Sequence, residues 1–265
     1  MSRQNYYKGR SKRKRREVDG DLIEELVRAE RALEPRLGGK KLHRLLKPEL
    51  EKAGVKIGRD RFFEVLGARG LVLEPLPKAP RTTNSRHCLP VFRNLLADMN
   101  VEGPNQAWVS DITYIRTDEG FLYLSLVTDA WSRKIVGYHA GDTLETEGCL
   151  RALEKAVKEL MDGMFPVHHS DRGCQYCSHL YTRKLQEYGL GISMTEENHC
   201  YENAKAERVN GILKQEYGLG SPFRTKQQAV ESVDQAVMLY NTRRPHLALD
   251  YKTPEETHRE LKKAA

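Results

Sequence analysis

The chain has 265 residues, with 44 Lys and Arg against 37 Asp and Glu and a net charge of +7 at pH 7. This length allows one sizeable domain and a smaller one, and the basic balance favours a polyanionic partner, with nucleic acid first. No apolar run approaches the ~18 residues that a membrane span needs, which argues against a membrane protein. Without a signal peptide, the five cysteines are expected to be free thiols in a reducing cytosol.

Basic residues dominate the amino terminus. Eight Lys and Arg side chains lie in the first 16 positions, including the unbroken run of Arg13, Lys14, Arg15 and Arg16. We predict that residues 1–20 form a disordered basic arm whose run contacts DNA phosphates. A solvated tail without any DNA contact is an equally good interpretation of the same residues.

Three short segments that follow carry Leu, Val, Ile or Phe at helical spacing: residues 21–32, 41–53 and 59–68. Three short helices with a small core and a basic surface resemble a helix-turn-helix module, which we assign to residues 21–73. In such a module the third helix enters the major groove of DNA, here led by Lys56, Arg59 and Arg61. A helical bundle without a DNA contact remains the alternative.

Prolines and cations mark residues 74–104 as a basic, Pro-rich linker. Beyond it, β-rich segments are predicted at residues 106–116, 121–128, 134–140, 165–169 and 191–195. Helical patterns are predicted at residues 145–161, 178–188, 201–217 and 226–240. Three hairpin-linked strands, then helix, strand, helix, strand and helix, is the order of a ribonuclease H-like core.

We therefore predict an α/β fold over residues 105–257, with a tail at 258–265. The core would be a ribonuclease H-like mixed five-stranded sheet with flanking helices, preceded by a small all-α, helix-turn-helix-like domain.

Three acidic residues of this predicted core are candidate functional residues. Asp111 lies inside the first strand among apolar residues, where a buried charge needs compensation. Asp171 ends the fourth strand and Glu207 lies on a late helix. Because the first and fourth strands are neighbours in a ribonuclease H-like sheet, the three carboxylates are expected to converge. A divalent metal ion would relieve the repulsion between these carboxylates, and hard oxygen ligands suit Mg²⁺. Two such ions, about 3.5–4 Å apart, activate an attacking hydroxyl and stabilise a leaving 3′ oxygen.

The sequence around these acids resembles a known family. Asp111, Asp171 and Glu207, with 35 residues between the last two, match the DDE signature of retroviral-integrase-like transposases. The segments that narrow the resemblance are residues 108–114, residues 169–173 with Gln175 and Tyr176, residues 201–207 with Lys214, and residues 240–246 with Leu249, Thr253 and Pro254. Over roughly residues 35–257 the chain looks like the second-frame (OrfB-type) transposase of the insertion-sequence-three family.

The resemblance implies a polynucleotidyl transferase. Asp111, Asp171 and Glu207 would bind two Mg²⁺ ions, with Mn²⁺ as a substitute. Water would cleave a phosphodiester at the end of a bacterial insertion sequence and free a 3′-OH, which would then attack a second phosphodiester in line. Lys214 would contact DNA near the terminal bases.

The resemblance also implies partners and a location. The expected partners are double-stranded DNA, as element ends and as target, and the upstream-frame transposase product. Two element ends must be paired, so a homo-oligomer is expected when the protein is active. The expected location is the bacterial cytoplasm, in association with the nucleoid and without a membrane.

Two alternatives for the whole chain stay open. One is a non-catalytic DNA-binding regulator of transposition, and the other is a ribonuclease H-like nuclease that only hydrolyses. The acid trio counts against the first, because a pure binder has no use for convergent carboxylates. Lys214 and the basic amino-terminal half count against the second.

Several single residues also have two interpretations. Asp129 is interpreted as a turn residue rather than a further metal ligand. His168 and His169 have either a role beside the metal site or a buried, hydrogen-bonded one. Cys174 and Cys177 form a CxxC that makes zinc a weak hypothesis.

Arg243 and Arg244 follow the last predicted helix. Packing of this turn on the core is the preferred interpretation, and contact of both cations with DNA is the alternative.

Overall fold

The computed structural model describes residues 3–74, 89–161, 163–196 and 203–260, with side chains from residue 15 onwards. The chain divides into two compact units, Met1–Pro77 and Lys78–Ala265. Among the residues that the structure describes, no helix is both long and apolar enough to cross a membrane.

The first unit is built from three helices: α1 (Arg3–Leu33), α2 (Gly39–Lys52) and α3 (Arg59–Ala68). Its core consists of apolar side chains at helical spacing, such as Ile23, Leu46 and Phe62, each at most 1% exposed. Arg69, just after α3, pairs with carboxylates of Asp21 and Glu24 on α1. This unit agrees with the predicted small helical domain.

Helix α1 corrects the predicted disordered arm. Its backbone is helical from Arg3, so residues 3–20 continue into the amphipathic part of the same helix. The physical reason is that Lys, Arg, Gln and Glu are good helix formers and that no proline interrupts them before Pro35. Packing of the second half of α1 in the core supports the helix further.

The second unit contains a five-stranded mixed sheet. Its strands are β1 (Ala107–Thr117), β2 (Gly120–Asp129), β3 (Ile135–Gly141), β4 (Val167–Ser170) and β5 (Gly191–Met194), in the order β3-β2-β1-β4-β5. The first three strands pair antiparallel, and β4 joins β1 and β5 in parallel. The predicted fold class is confirmed.

Helices cover both faces of this sheet. They are α4 (Thr146–Lys158), the short α5 (Cys174–Cys177), α6 (His179–Glu187), α7 (Ala204–Glu216) and α8 (Lys226–Thr242). Because side chains alternate along a strand, Leu126 of β2 packs with α7 and α8, whereas Val127 packs with α4 and α6. The sheet is therefore buried on both sides, and α7 crosses it near its centre.

Residues 89–104 pack on the sheet rather than forming a free linker. Leu96, Met99 and Val101 contact the cluster that contains Val109 of β1, and the backbone N–H of Leu95 donates to Ser193 Oγ of β5 at 2.9 Å. The structure thus corrects the predicted linker over 89–104, because its apolar side chains find partners at the start of the sheet. Residues 75–88 lie outside the described residues.

The last helix, α9 (Pro254–Glu260), follows a 3₁₀ turn at Leu247–Leu249. His258 on α9 is 5% exposed, and its Nδ1 lies 2.9 Å from Ser132 Oγ. The core therefore continues to residue 260, which corrects the predicted tail at 258–265 for its first three residues. The rest of that tail lies outside the described residues.

Candidate active site

Two of the predicted acids lie side by side in the sheet. Ser110 of β1 and Ser170 of β4 are paired in parallel register, so Asp111 and Asp171 are the next residues on neighbouring strands. Both line one pocket of about 270 Å³, together with the buried Tyr176. The sheet register alone thus brings together two carboxylates that are far apart in the sequence.

Helix α7 is fixed against β1 at this point. Asn203 Nδ2 donates to the carbonyl oxygen of Ser110 at 3.1 Å, and Asn210 Nδ2 donates to Asp111 Oδ2 at 2.8 Å. Seven residues make about two helical turns, so both amides face the strand. Glu207 lies between them on the helix with an exposed side chain, and its charge acts on Asp111.

The carboxyl of Asp111 is held in an environment that disfavours its negative charge. Burial raises the pKa of Asp111 to about 7, and the charges of Asp171 and, more weakly, Glu207 act in the same direction. Hydrogen bonds from Asn210 Nδ2 and from the Ile112 backbone, the latter 2.9 Å from Oδ1, oppose the shift. The structure thus brings all three predicted carboxylates within electrostatic reach of one another.

This donor set fits a hard divalent cation. Carboxylate oxygens are ligands that Mg²⁺ prefers, and a bound cation would lower the pKa of Asp111. Within the described ranges, no three His, Cys, Asp or Glu side chains enclose an ion by themselves. Mg²⁺ keeps several waters and takes phosphate oxygens from its substrate, so an open carboxylate site is compatible with it.

Known proteins are similar to this chain in sequence. Two families described as Integrase core domain match residues 101–200 and residues 188–254. The insertion element IS600 uncharacterized 31 kDa protein of Shigella sonnei is 36% identical over 213 residues, which are 80% of this chain and 78% of that protein. The transposase InsF for insertion sequence IS3fB of Escherichia coli (strain K12) is 36% identical over 179 residues, 67% of this chain and 62% of that protein. The chain belongs to the insertion-sequence-three family of transposases.

A solved structure adds evidence on the fold. A chain of the simian T-cell lymphotropic virus intasome matches with a TM-score of 0.50 and 18% sequence identity, covering 83% of the transposase and 74% of that chain. Family membership gives the activity: the transposase is an OrfB-type polynucleotidyl transferase that acts on DNA.

Lys214 extends the site of the transposase along α7. Its Nζ lies 4.4 Å from the centre of the Tyr114 ring. Burial lowers the pKa of Lys214, and the negative charge of Asp111 acts in the opposite direction. A partly buried cation therefore lies beside the carboxylates, two turns after Glu207.

Arg244 packs in the core, as the preferred interpretation expects, and the alternative contact of this cation with DNA is wrong. It is 2% exposed, and its Nε and Nη2 donate to the two carboxylate oxygens of Glu216 at 2.8 Å each. A bidentate pair of this kind occupies the guanidinium and ties the end of α7 to the segment after α8. Arg243 is partly buried, and its contact with DNA stays a prediction.

The cations of the first unit that were predicted to contact DNA are exposed where their side chains are described: Arg15, Arg16, Lys56, Arg59 and Arg61. The side chains of Arg13 and Lys14 lie outside the described residues. Two of the cations have acidic neighbours on α3, namely Asp60 for Arg59 and Glu64 for Arg61. Exposure is what a DNA contact requires, so these contacts stay predictions.

Asp129 is a buried turn residue, in agreement with its interpretation from the sequence. Its carboxylate accepts hydrogen bonds from the backbone N–H groups of Asn105 and Ser132 and from Ser132 Oγ, each at 2.7 Å. Burial raises the pKa of Asp129, but His258 and these donors together lower it. The residue organises the β2–β3 turn and lies outside the carboxylate site.

The two histidines are buried and hydrogen-bonded. His168 Nε2 lies 2.8 Å from Ser110 Oγ, and burial lowers the pKa of His168 to about 3. His169 Nδ1 lies 2.8 Å from Ser193 Oγ. These contacts support a structural interpretation of both side chains.

Within the described part of the chain, Cys174 and Cys177 do not belong to any group of three His, Cys, Asp or Glu side chains that could hold a metal ion. Cys174 is exposed, whereas Cys177 is buried with its Sγ 3.5 Å from Met194 Sδ. The two thiols therefore have different surroundings.

Sequence reasoning missed Asn203 and Asn210. The available signal was spacing: Asn210 follows Glu207 by three residues and so shares its side of a helix. Neither amide carries a charge, and only the structure shows that one of them reaches Asp111.

Proposed function

We propose that the transposase hydrolyses and joins DNA strands with Asp111, Asp171 and Glu207 as ligands of two Mg²⁺ ions. The observation that carries the proposal is that the charges of Asp171 and Glu207 act on a partly buried Asp111, whose pKa is raised to about 7. A protein gains nothing for its own stability from such repulsion, whereas a metal-dependent enzyme uses it to bind cations.

Residues of the chain position the metal-binding carboxylate and the DNA. Asn210 Nδ2 and the Ile112 backbone N–H each hold one oxygen of Asp111 and so orient its carboxylate. Lys214 offers a partly desolvated ammonium to a DNA phosphate or a base edge. Bound Mg²⁺ supplies activation of the attacking oxygen and stabilisation of the leaving 3′ oxygen. In-line attack by water or by a 3′-OH then needs no covalent enzyme intermediate.

A strand-transfer assay tests the proposal. The substrate is a labelled duplex that bears a candidate element end with a pre-exposed 3′-OH, and Mg²⁺ is compared with Mn²⁺ and with EDTA. Glu207→Gln should abolish joining, because it weakens metal binding, and should leave DNA affinity nearly unchanged. Glu231→Gln, at an exposed position of α8, is the control and should join normally. Strong Mg²⁺-dependent joining by Glu207→Gln would remove Glu207 from the ligand set.

We further propose that the active form is a homo-oligomer that works with the upstream-frame product. Each chain contains one set of the three carboxylates, and two element ends need two sets. Adding the upstream-frame product to the same assay should increase joining, and the DNA complex should contain at least two chains by light scattering. A complex with one chain that joins both ends would contradict this arrangement.

A further inference from the structure

A second pocket lies on the other side of α7 from the carboxylate site. It has a volume of about 370 Å³, and Trp131, Arg133, Lys205, Leu249 and Lys252 are among its lining residues. Lys205 precedes Glu207 by two residues, about 200° around the helix, so the two side chains leave α7 on nearly opposite flanks.

Two cations in this pocket are partly buried and have no carboxylate partner among the described residues. Lys205 Nζ donates to the carbonyl oxygen of Ala130 at 3.3 Å, and neither Lys205 nor Arg133 makes an ion pair within the described residues. Burial lowers the pKa of both groups, and the charge of Arg133 lowers the pKa of Lys205 further. Two cations that repel one another in a partly desolvated pocket are a receptor for an anion.

The acidic groups near the pocket offset these cations only in part. Asp129 is fully buried, and its carboxylate accepts hydrogen bonds from Asn105 and Ser132. Its negative charge raises the pKa of both cations, although within the described residues it forms no ion pair with either. Glu260 pairs with Lys252 at 2.7 Å, and Asp250 lies on the exposed rim. Within the described residues, neither Arg133 nor Lys205 is therefore in direct contact with a carboxylate, so both can reach a ligand.

The backbone of Arg133 supports a role for this side chain. Its φ is +64°, in the left-handed region that disfavours residues with a Cβ. Its N–H donates to the carbonyl oxygen of Asp129 at 3.0 Å, so the Asp129-centred turn holds this conformation. Glycine would fit the turn with less strain, yet the position carries an arginine that lines the pocket.

We propose that this pocket binds one phosphate of the DNA backbone, distinct from the phosphate at the carboxylates. A guanidinium fork beside an ammonium matches the oxygens of a phosphodiester. Asp129 pairs with Trp108 of β1, three residues before Asp111, so the pocket lies roughly 10 Å from the carboxylate site. DNA held there would be clamped on both flanks of α7, with Lys205 on one side and the reacting strand on the other.

The test is a salt titration of DNA binding, followed by fluorescence anisotropy of a labelled random-sequence duplex in EDTA. Without divalent metal, the result does not depend on the roles of the carboxylates. Lys205→Gln and Arg133→Gly should each weaken binding about tenfold near 0.1 M salt. Each should also lower the slope of log affinity against log salt by up to about 0.9, the value for one phosphate.

Both cations are proposed to hold the same phosphate, so the double variant should reduce the slope by no more than about 0.9. Lys205→Arg should bind like wild type, and thermal melting checks that each variant is folded. Lys184→Gln is the matched control, because Lys184 on α6 is paired with Glu187 at 3.2 Å, and it should bind normally. Folded variants with the wild-type slope, or a double variant whose slope falls by twice the single-phosphate value, would overturn the proposal.

Discussion

At the scale of single residues, the amide of Asn210 is the least expected part of the site. Its Nδ2 donates to Asp111 at 2.8 Å, and its Oδ1 is buried without a hydrogen-bond partner in the described residues. Removing a group that orients a metal ligand usually lowers metal affinity or activity by about 10–100-fold. We therefore expect Asn210→Ala to need more Mg²⁺ for strand transfer, with DNA affinity unchanged, as measured by a Mg²⁺ titration of joining.

The control for this prediction is on the same helix. Gln215→Ala, at an exposed position of α7, should have the wild-type Mg²⁺ dependence. If Asn210→Ala also had it, Asn210 would only be packing α7 against β1.

Asp111 predicts a pH-dependent stability. Its pKa is about 7 in the folded protein against an ordinary 3.8, so between these values the folded chain holds a proton that the unfolded chain has released. The contribution of this group to the free energy of unfolding therefore falls as pH rises from about 4 to about 7. Asp111→Asn should stabilise the metal-free protein at pH 8, by up to about 4 kcal/mol, and should give no gain near pH 4.

Thermal melting in EDTA at the two pH values measures this effect. With Mg²⁺ at pH 8, wild type should gain stability and Asp111→Asn should not. Asp98→Asn, an exposed position, should behave like wild type throughout. If Asp111→Asn is less stable than wild type at pH 8 without metal, the raised pKa of Asp111 is contradicted.

The sequence alone indicated the three acidic residues of the site, but not the residues that hold them in place. An aspartate inside an apolar strand is conspicuous because a charge there needs compensation. An asparagine on a helix gives no such signal, and the sequence favoured packing of Arg244 on the core without showing that Glu216 is its partner. Partners of this kind are set by tertiary packing, which the local sequence does not encode.

At the scale of elements, α4 lies unusually close to β3. A Cβ added to Gly137 would be 2.1 Å from the carbonyl oxygen of Ala152 and 2.8 Å from the backbone nitrogen of Ala156. Both are backbone atoms of α4, so the helix itself would have to move. We expect Gly137→Ala to lower the free energy of unfolding by about 3 kcal/mol or more, measured by urea denaturation of the full chain.

A second glycine provides the comparison. Gly211 lies within α7, and a Cβ there would meet nothing within 4 Å. Gly211→Ala should be neutral or should stabilise by roughly 0.5–1 kcal/mol, because alanine is the better helix former. Equal effects of the two substitutions would mean that α4 adjusts freely.

Strand and helix identity was the most predictable level of the structure. Period-two and 3.6-residue patterns identified all five strands and helices α4, α6, α7 and α8, because one face of each element is buried. The short helices α5 and α9 were not predicted. The ends were harder: residues 89–104 look like linker by composition, yet Leu96 and Met99 pack on the sheet. The first half of helix α1 was missed because it is rich in cations and has no apolar stripe.

At the scale of the whole molecule, the two units have separate hydrophobic cores. The first is centred on residues such as Leu42 and Phe62, and the second surrounds both faces of the sheet. The first unit carries the exposed cations predicted to bind DNA, whereas the candidate catalytic residues all belong to the second. This division suggests that DNA affinity and chemistry can be separated experimentally.

We therefore expect residues 78–265 to fold alone, because their core shares no residue with the first unit. The fragment should keep Mg²⁺-dependent joining at high DNA concentration and bind DNA more weakly, with a shallower salt dependence. Neutralising residues 13–16 in the full chain should lower the salt slope by up to about 0.9 for each phosphate that this basic run neutralises. Anisotropy titrations of wild type, fragment and variant measure all three slopes. If the fragment has the wild-type salt slope, the first unit does not contribute to DNA binding and its role is structural. If the variant has the wild-type slope, residues 13–16 do not contact DNA phosphates.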